Sequence, residues 1–146
     1  MIDRKWIGLE LPDSVLELER GRMKFFAKVV GATDPIYHDE CAARAAGHPD
    51  LPALPTFLFA AELDTGSMDG VMARLGVDIG RILHGEQSFV YRRMAYAGDR
   101  LSVSSRIADI YDKKGGALEF IVKETKATDA NGEPVADMRS IIVVRN

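Results

Sequence analysis

The sequence predicts an α+β domain in which an antiparallel sheet wraps around one central apolar helix. Three observations predict it. Apolar residues recur at helical spacing early in the chain, the segment TFLFAAEL is apolar nearly all round, and from Arg81 onward the period changes to two. The 146 residues are expected to form one domain over 1–146, long enough to bury roughly two-thirds of the unfolded surface.

Val15 to Glu19 alternates briefly and predicts a first strand. Met23, Phe26, Ala27 and Val30 then fall at i, i+3, i+4 and i+7, one face of a helix that stops at Gly31. Asp39 is placed to cap a short helix through DECAARAAG, with Gly47 ending it in the left-handed conformation. HPDLPALP breaks regular structure. TFLFAAEL follows as the central helix, with Thr56 as its expected cap just past Pro55. From Asp64 to Gly80, glycines and scattered charges predict a long loop or a frayed helix. Four strands joined by hairpins follow: RILHGEQSFVYRR, RLSVSSRIADIY, ALEFIVKETKAT and VADMRSIIVVRN. The Asn131-Gly132 pair marks a turn, and Glu133-Pro134 behind it implies a loop longer than two residues. Leu118, Phe120 and Val122 share one face, as do Ser140, Ile142 and Val144, so one side of the sheet is expected to cover a helix. The edges of such a sheet need protection, and pairing into a dimer supplies it.

Composition excludes several functions. A formal charge of −3 without a basic cluster argues against nucleic acid. The single cysteine, Cys41, leaves no disulfide or thiolate cluster and suits a reducing cytoplasm; it is expected to be buried or half-buried. No leader-like start and no run of about eighteen apolar residues appears, so no membrane segment is expected. His38, His48 and His84 have no ligand spacing, and neither a metal nor a cofactor is expected.

Two segments carry the chemistry. In GATDPIYHDE an acid, a proline, a tyrosine, a histidine and a second acid lie within ten residues. In LHGEQSFVY a strict two-residue alternation puts His84, Glu86, Ser88 and Val90 on one face and Gly85, Gln87, Phe89 and Tyr91 on the other. His84 and Glu86 would then form either an acid/base couple or a structural contact, and Gly85 would admit a neighbouring backbone or a ligand. Arg92 and Arg93 suit either the phosphates of a pantetheine carrier or a solvated strand end.

GATDPIYHDECAARAAGHPDLPALPTF together with LHGEQSFVYRRMAYAGDRL resembles the amino-terminal domain of MaoC-like dehydratases, a hot-dog family acting on coenzyme A or acyl-carrier-protein thioesters. The resemblance covers most of the chain and is weak from Asp64 to Gly80. Catalytic members of that family carry Gly-Asp-x-Asn-Pro-(Ile/Leu)-His-x-Asp-x-x-x-Ala, whose first acid and histidine activate water. With Pro35 on the motif proline, Gly31 takes the glycine, Ala32 the catalytic acid, Asp34 the asparagine and Tyr37 the catalytic histidine, while Asp39 and Ala43 match. Alanine cannot accept a proton, and a tyrosine of ordinary pKa near 10 is a poor base at neutral pH. No catalytic residue is therefore expected in this chain. His38 is the fallback only if the loop re-registers around Asp34-Pro35; otherwise it faces solvent beside a helix cap.

What the resemblance implies is an acyl-thioester-binding subunit of an (R)-specific 2-enoyl-CoA or enoyl-ACP hydratase. It would act as a homodimer or as a heterodimer with a catalytic MaoC-type subunit, and its substrate-binding candidates are Tyr37, Pro55, Thr56, Phe57, His84 and Glu86. The alternatives are a self-sufficient hydratase with a non-standard site and a hot-dog thioesterase. The thioesterase would need a carboxylate from the central helix, where Glu62 and Asp64 come late.

Overall fold

The structure is a computed structural model that describes residues 1–64 and 67–146. Five antiparallel strands, β1 (Ser14–Glu17), β2 (Ile82–Tyr91), β3 (Arg100–Lys113), β4 (Leu118–Thr128) and β5 (Pro134–Arg145), form one sheet in the order β1-β3-β4-β5-β2. The sheet order corrects the simple meander. β3, β4 and β5 are joined as hairpins, but β2 pairs with β5 and lies at the edge opposite β1.

Helix α1 (Arg20–Val29) forms where the spacing predicts it, with Met23 and Ala27 buried, and the Glu19 carboxylate caps its first N–H groups. Asp39 caps α2 (Glu40–Ala45) through the Ala42 N–H at 2.7 Å, and Gly31 and Gly47 both have positive φ. Cys41 is exposed, not buried, because the α2 face carrying Ala43 is the one turned to the core.

The central segment departs from a uniform helix. Pro55–Phe59 is a 3-10 turn with no side-chain cap, and only Ala60–Asp64 is α-helical, as α3. Thr56 caps nothing. The segment is apolar round most of its girth but buries one side: Phe57, Leu58 and Ala61 pack with Leu101, Val103, Ala127 and Met138. Thr56 and Leu63 are exposed.

Of the two alternatives for Asp64 to Gly80, a long loop or a frayed helix, the structure forms a helix, α4 (Ser67–Leu75), with Thr65 and Gly66 outside the described residues. Met68, Val71, Met72 and Leu75 stand at i, i+3, i+4 and i+7 and pack on Ile107, Ile121, Ile142 and Val144, together with Ile2 and Leu11 from the amino terminus. Gly70 and the charges around it obscured that stripe. Among the described residues no helix is long and apolar enough to cross a membrane.

The side of β4 that covers the helices also differs from expectation. Ile121 lies opposite the buried Ile142, so Glu119, Ile121, Lys123, Thr125 and Ala127 face the helices, whereas Leu118, Phe120 and Val122 take the other side. Polar residues can occupy the inner positions because each has a partner. Glu119 accepts from the Ile2 N–H at 2.6 Å, Lys123 donates to Glu62, and Thr125 donates to the same Glu62 carboxylate at 2.9 Å.

Candidate functional site

The motif loop forms a capped turn around Pro35. Asp34 accepts from the Ile36 N–H at 3.1 Å, and a 3-10 turn spans Pro35–Tyr37 before Asp39 begins α2. Ile36 packs on the apolar cluster that contains Phe57. His38 does not face solvent freely: it is half-buried, and its Nε2 lies 2.6 Å from the Ala32 carbonyl oxygen. Because a carbonyl only accepts, Nε2 carries the proton there. The Tyr37 side chain is half-buried, and its hydroxyl makes no hydrogen bond among the described residues.

A second group gathers along β2. The segment Pro55–Phe59 runs beside the strand, with Tyr91 donating its hydroxyl proton to the Pro55 carbonyl and the Phe59 ring 5.1 Å from the His84 ring. Pro55 has no N–H and the Phe57 N–H donates to Leu54 at 2.8 Å, which leaves Thr56 as the backbone donor in this stretch. Phe57 is buried against Phe26, ring to ring at 5.4 Å, and belongs to the wall behind the strip. At the Tyr91 end a cleft of about 360 Å³ opens between Pro55, Ala53, Met94 and Ala95, with Arg92 and Arg93 at its rim.

The expected His84/Glu86 couple does not form. The ladder slips between them: His84 lies opposite Ile142 and Glu86 opposite Ile141, so the two point to opposite sides of the sheet. Gly85 is the inserted residue, and a Cβ there would sit 2.8 Å from Val143 Cγ2 and 3.0 Å from the Ile141 carbonyl oxygen. His84, Gln87, Phe89 and Tyr91 consequently face the helices, and Glu86, Ser88 and Val90 face outward with Leu83. Glu86 lies 3.8 Å from Arg139 on that outer side. A bulge is signalled by glycine inside a strand, but its parity shift is visible only against the partner strand.

Arg92 is paired with Asp137 at 2.8 Å and Arg93 with Asp129. Both guanidiniums are thus already engaged by carboxylates at the protein surface. Glu62 is 0% exposed, held by Lys123 and Thr125, and Asp64 is bonded to Arg22 at 2.6 Å, so neither carboxylate is presented to a ligand from α3. Among the described residues no three His, Cys, Asp or Glu side chains are placed to hold a metal ion.

Tyr91, Phe59 and Gln87 were not singled out from sequence, because their proximity to the motif elements depends on β2 lying beside residues 55–59. Burial pushes the Tyr91 phenol up to about 12. With the unfolded value near 10, the folded state holds this proton more tightly. Its contribution is complete below pH 10 and lost as pH rises through 12. Urea midpoints measured from pH 8 to 11.5 are expected to fall above pH 10 more steeply in the wild type than in Tyr91→Phe. At pH 8 that variant should be weaker by about 1 kcal/mol for the lost hydrogen bond. Parallel curves for the two proteins would contradict the assignment.

Comparison with known proteins places this architecture. The family model described as FAS1-like, dehydratase domain region, matches residues 5–138. A UPF0336 protein of Saccharopolyspora erythraea is 35% identical over 99% of this chain and 92% of its own length. Among solved structures, the HadBC (3R-hydroxyacyl-ACP dehydratase) complex of Mycobacterium tuberculosis aligns with a TM-score of 0.78 at 24% identity, covering 94% of this chain and 96% of that one. A MaoC-like dehydratase aligns with a TM-score of 0.82 at 22% identity, covering 97% of this chain and 42% of that longer one.

Proposed function

The chain belongs to the FAS1-like dehydratase-region family and has the MaoC-like hot-dog fold, and from that premise we propose that it is the acyl-thioester-binding, non-catalytic subunit of an (R)-specific 2-enoyl-thioester hydratase. The observation that carries this reading is the motif loop. It is a capped turn over Pro35–Tyr37 with His38 bonded to the Ala32 carbonyl, which supports aligning Ala32 and Tyr37 with the family's acid and histidine.

In this division of labour a MaoC-type partner supplies the carboxylate and imidazole that add water across the double bond of a coenzyme A or carrier-protein thioester. This chain, working as a single domain in the cytoplasm, supplies a wall of the acyl site from Tyr37, Pro55, Thr56, Phe57 and His84. Glu86 leaves the candidate set because it faces Arg139 on the outer side. The Thr56 N–H is the donor offered to a thioester oxygen, in the manner of an oxyanion hole. A complex of two related subunits, as in the HadBC structure, fits the arrangement. The thioesterase reading loses its support because Glu62 and Asp64 are both engaged in ion pairs.

The test is hydration of an enoyl thioester by the chain alone and by the chain co-expressed with a catalytic MaoC-type subunit. Turnover is expected only in the complex. Tyr37→Phe should change acyl affinity or selectivity by a few-fold at most, whereas alanine at the partner's histidine should remove about 10²–10⁴ of the rate. Robust turnover by the isolated chain, or loss of activity in Tyr37→Phe as complete as in the partner's mutant, would overturn the proposal.

A further inference from the structure

Resting on the acyl-thioester reading, we infer that Gln87 is a substrate-positioning residue whose side-chain amide donates a hydrogen bond to the carbonyl oxygen of the bound acyl thioester. The bulge at Gly85 brings Gln87 to the helix-facing side of the edge strand. There it lies between His84, which touches Phe59, and Tyr91, which is bonded to Pro55. It therefore borders the strip where Thr56 offers the backbone donor.

The amide is oriented from behind. Ser140, 1% exposed, donates its hydroxyl to Gln87 Oε1 at 2.6 Å. Ser140 in turn stands opposite Lys123, the cation of the buried pair with Glu62, so a built polar layer underlies the residue. With Oε1 engaged as an acceptor, the group left to meet a ligand is Nε2, which carries two N–H donors. Its one contact among the described residues is 3.5 Å to the Ser88 carbonyl, the outer limit of a hydrogen bond. A half-buried amide beside the Pro55–Phe59 strip, its oxygen fixed and its donors scarcely engaged, matches a carbonyl oxygen. An anion is a poorer match, because the cations nearest this layer are already paired.

The experiment is calorimetric titration of the full chain with an enoyl-CoA and with the matching S-alkyl-CoA thioether, which lacks only the carbonyl and the double bond's conjugation to it. Wild type should prefer the thioester, with about tenfold of that preference owed to the Gln87 hydrogen bond and the rest to the Thr56 N–H. Gln87→Glu keeps the oxygen that accepts from Ser140 and replaces the donor with an acceptor. In that variant the preference should fall by about tenfold or more while the protein stays folded, and in Gln87→Met it should fall by about tenfold, the Thr56 N–H remaining. Both ligands carry the same nucleotide, so any general repulsion cancels in the ratio. A preference equal to that of wild type in both variants would overturn the role of Gln87 and leave the acyl-binding reading standing. Failure of wild type to bind either ligand would overturn that reading, and this inference with it.

Discussion

Lys123→Met is expected to lower the unfolding free energy by about 3–5 kcal/mol, the characteristic cost of leaving one partner of a buried ion pair alone. The Lys123 ammonium and the Glu62 carboxylate are both closed off from water, with side chains 2% and 0% exposed. Thr125 donates to the second carboxylate oxygen at 2.9 Å, and Ser105 lies 2.9 Å from the Thr125 hydroxyl. Removing the lysine leaves a carboxylate in the core with one neutral donor. Replacing both residues in Lys123→Met/Glu62→Leu removes the orphaned charge, and the double variant should recover most of the loss, because desolvation of the pair offsets much of its attraction. Urea unfolding of wild type, Lys123→Met, Glu62→Leu and the double variant gives the coupling directly. Additive losses would mean that the two charges do not depend on one another, contrary to the geometry.

The second large effect is expected on assembly. β2 is a ten-residue edge strand, whereas the opposite edge, β1, has four. Leu83 is 47% and Val90 51% exposed on its outward side, and Ile79 and Met94 flank it, also exposed. A long edge with apolar margins and no lysine or proline is an open template for another strand. Leu83→Lys/Val90→Lys should leave the isolated fold within about 0.5 kcal/mol of wild type, since both positions are solvated in one chain. It should weaken pairing with a second hot-dog chain about a hundredfold or more, because charges are then buried against one another. Light scattering across a concentration series reads the change. An assembly mass that is unaltered in the double variant would place the interface elsewhere on the molecule.

Much of this molecule follows from neighbours in sequence. The spacing of Met23, Phe26 and Ala27 commits α1 to a helix, Asp39 and Gly47 delimit α2, and the two-residue period with its Gly-rich breaks marks the β3–β4–β5 hairpins. The resemblance around Pro35, which sets alanine and tyrosine against the acid and histidine of the family motif, is equally a matter of adjacent residues. Each of these depends on steric and hydrogen-bonding preferences acting within a few positions, which is why they can be read along the chain.

What depended on the fold is of another kind. Whether His84 and Glu86 share a side was decided by one inserted residue at Gly85 against β5. The side of β4 turned inward was decided by Glu62, which satisfies a lysine from 61 positions away. α4 acquired its meaning only when a second cluster of isoleucines was there to receive Met72 and Leu75. Local preference cannot settle such questions, because a buried charge or a slipped register is tolerable only when a distant partner completes it, and the position of that partner is a property of the packed sheet and helices together.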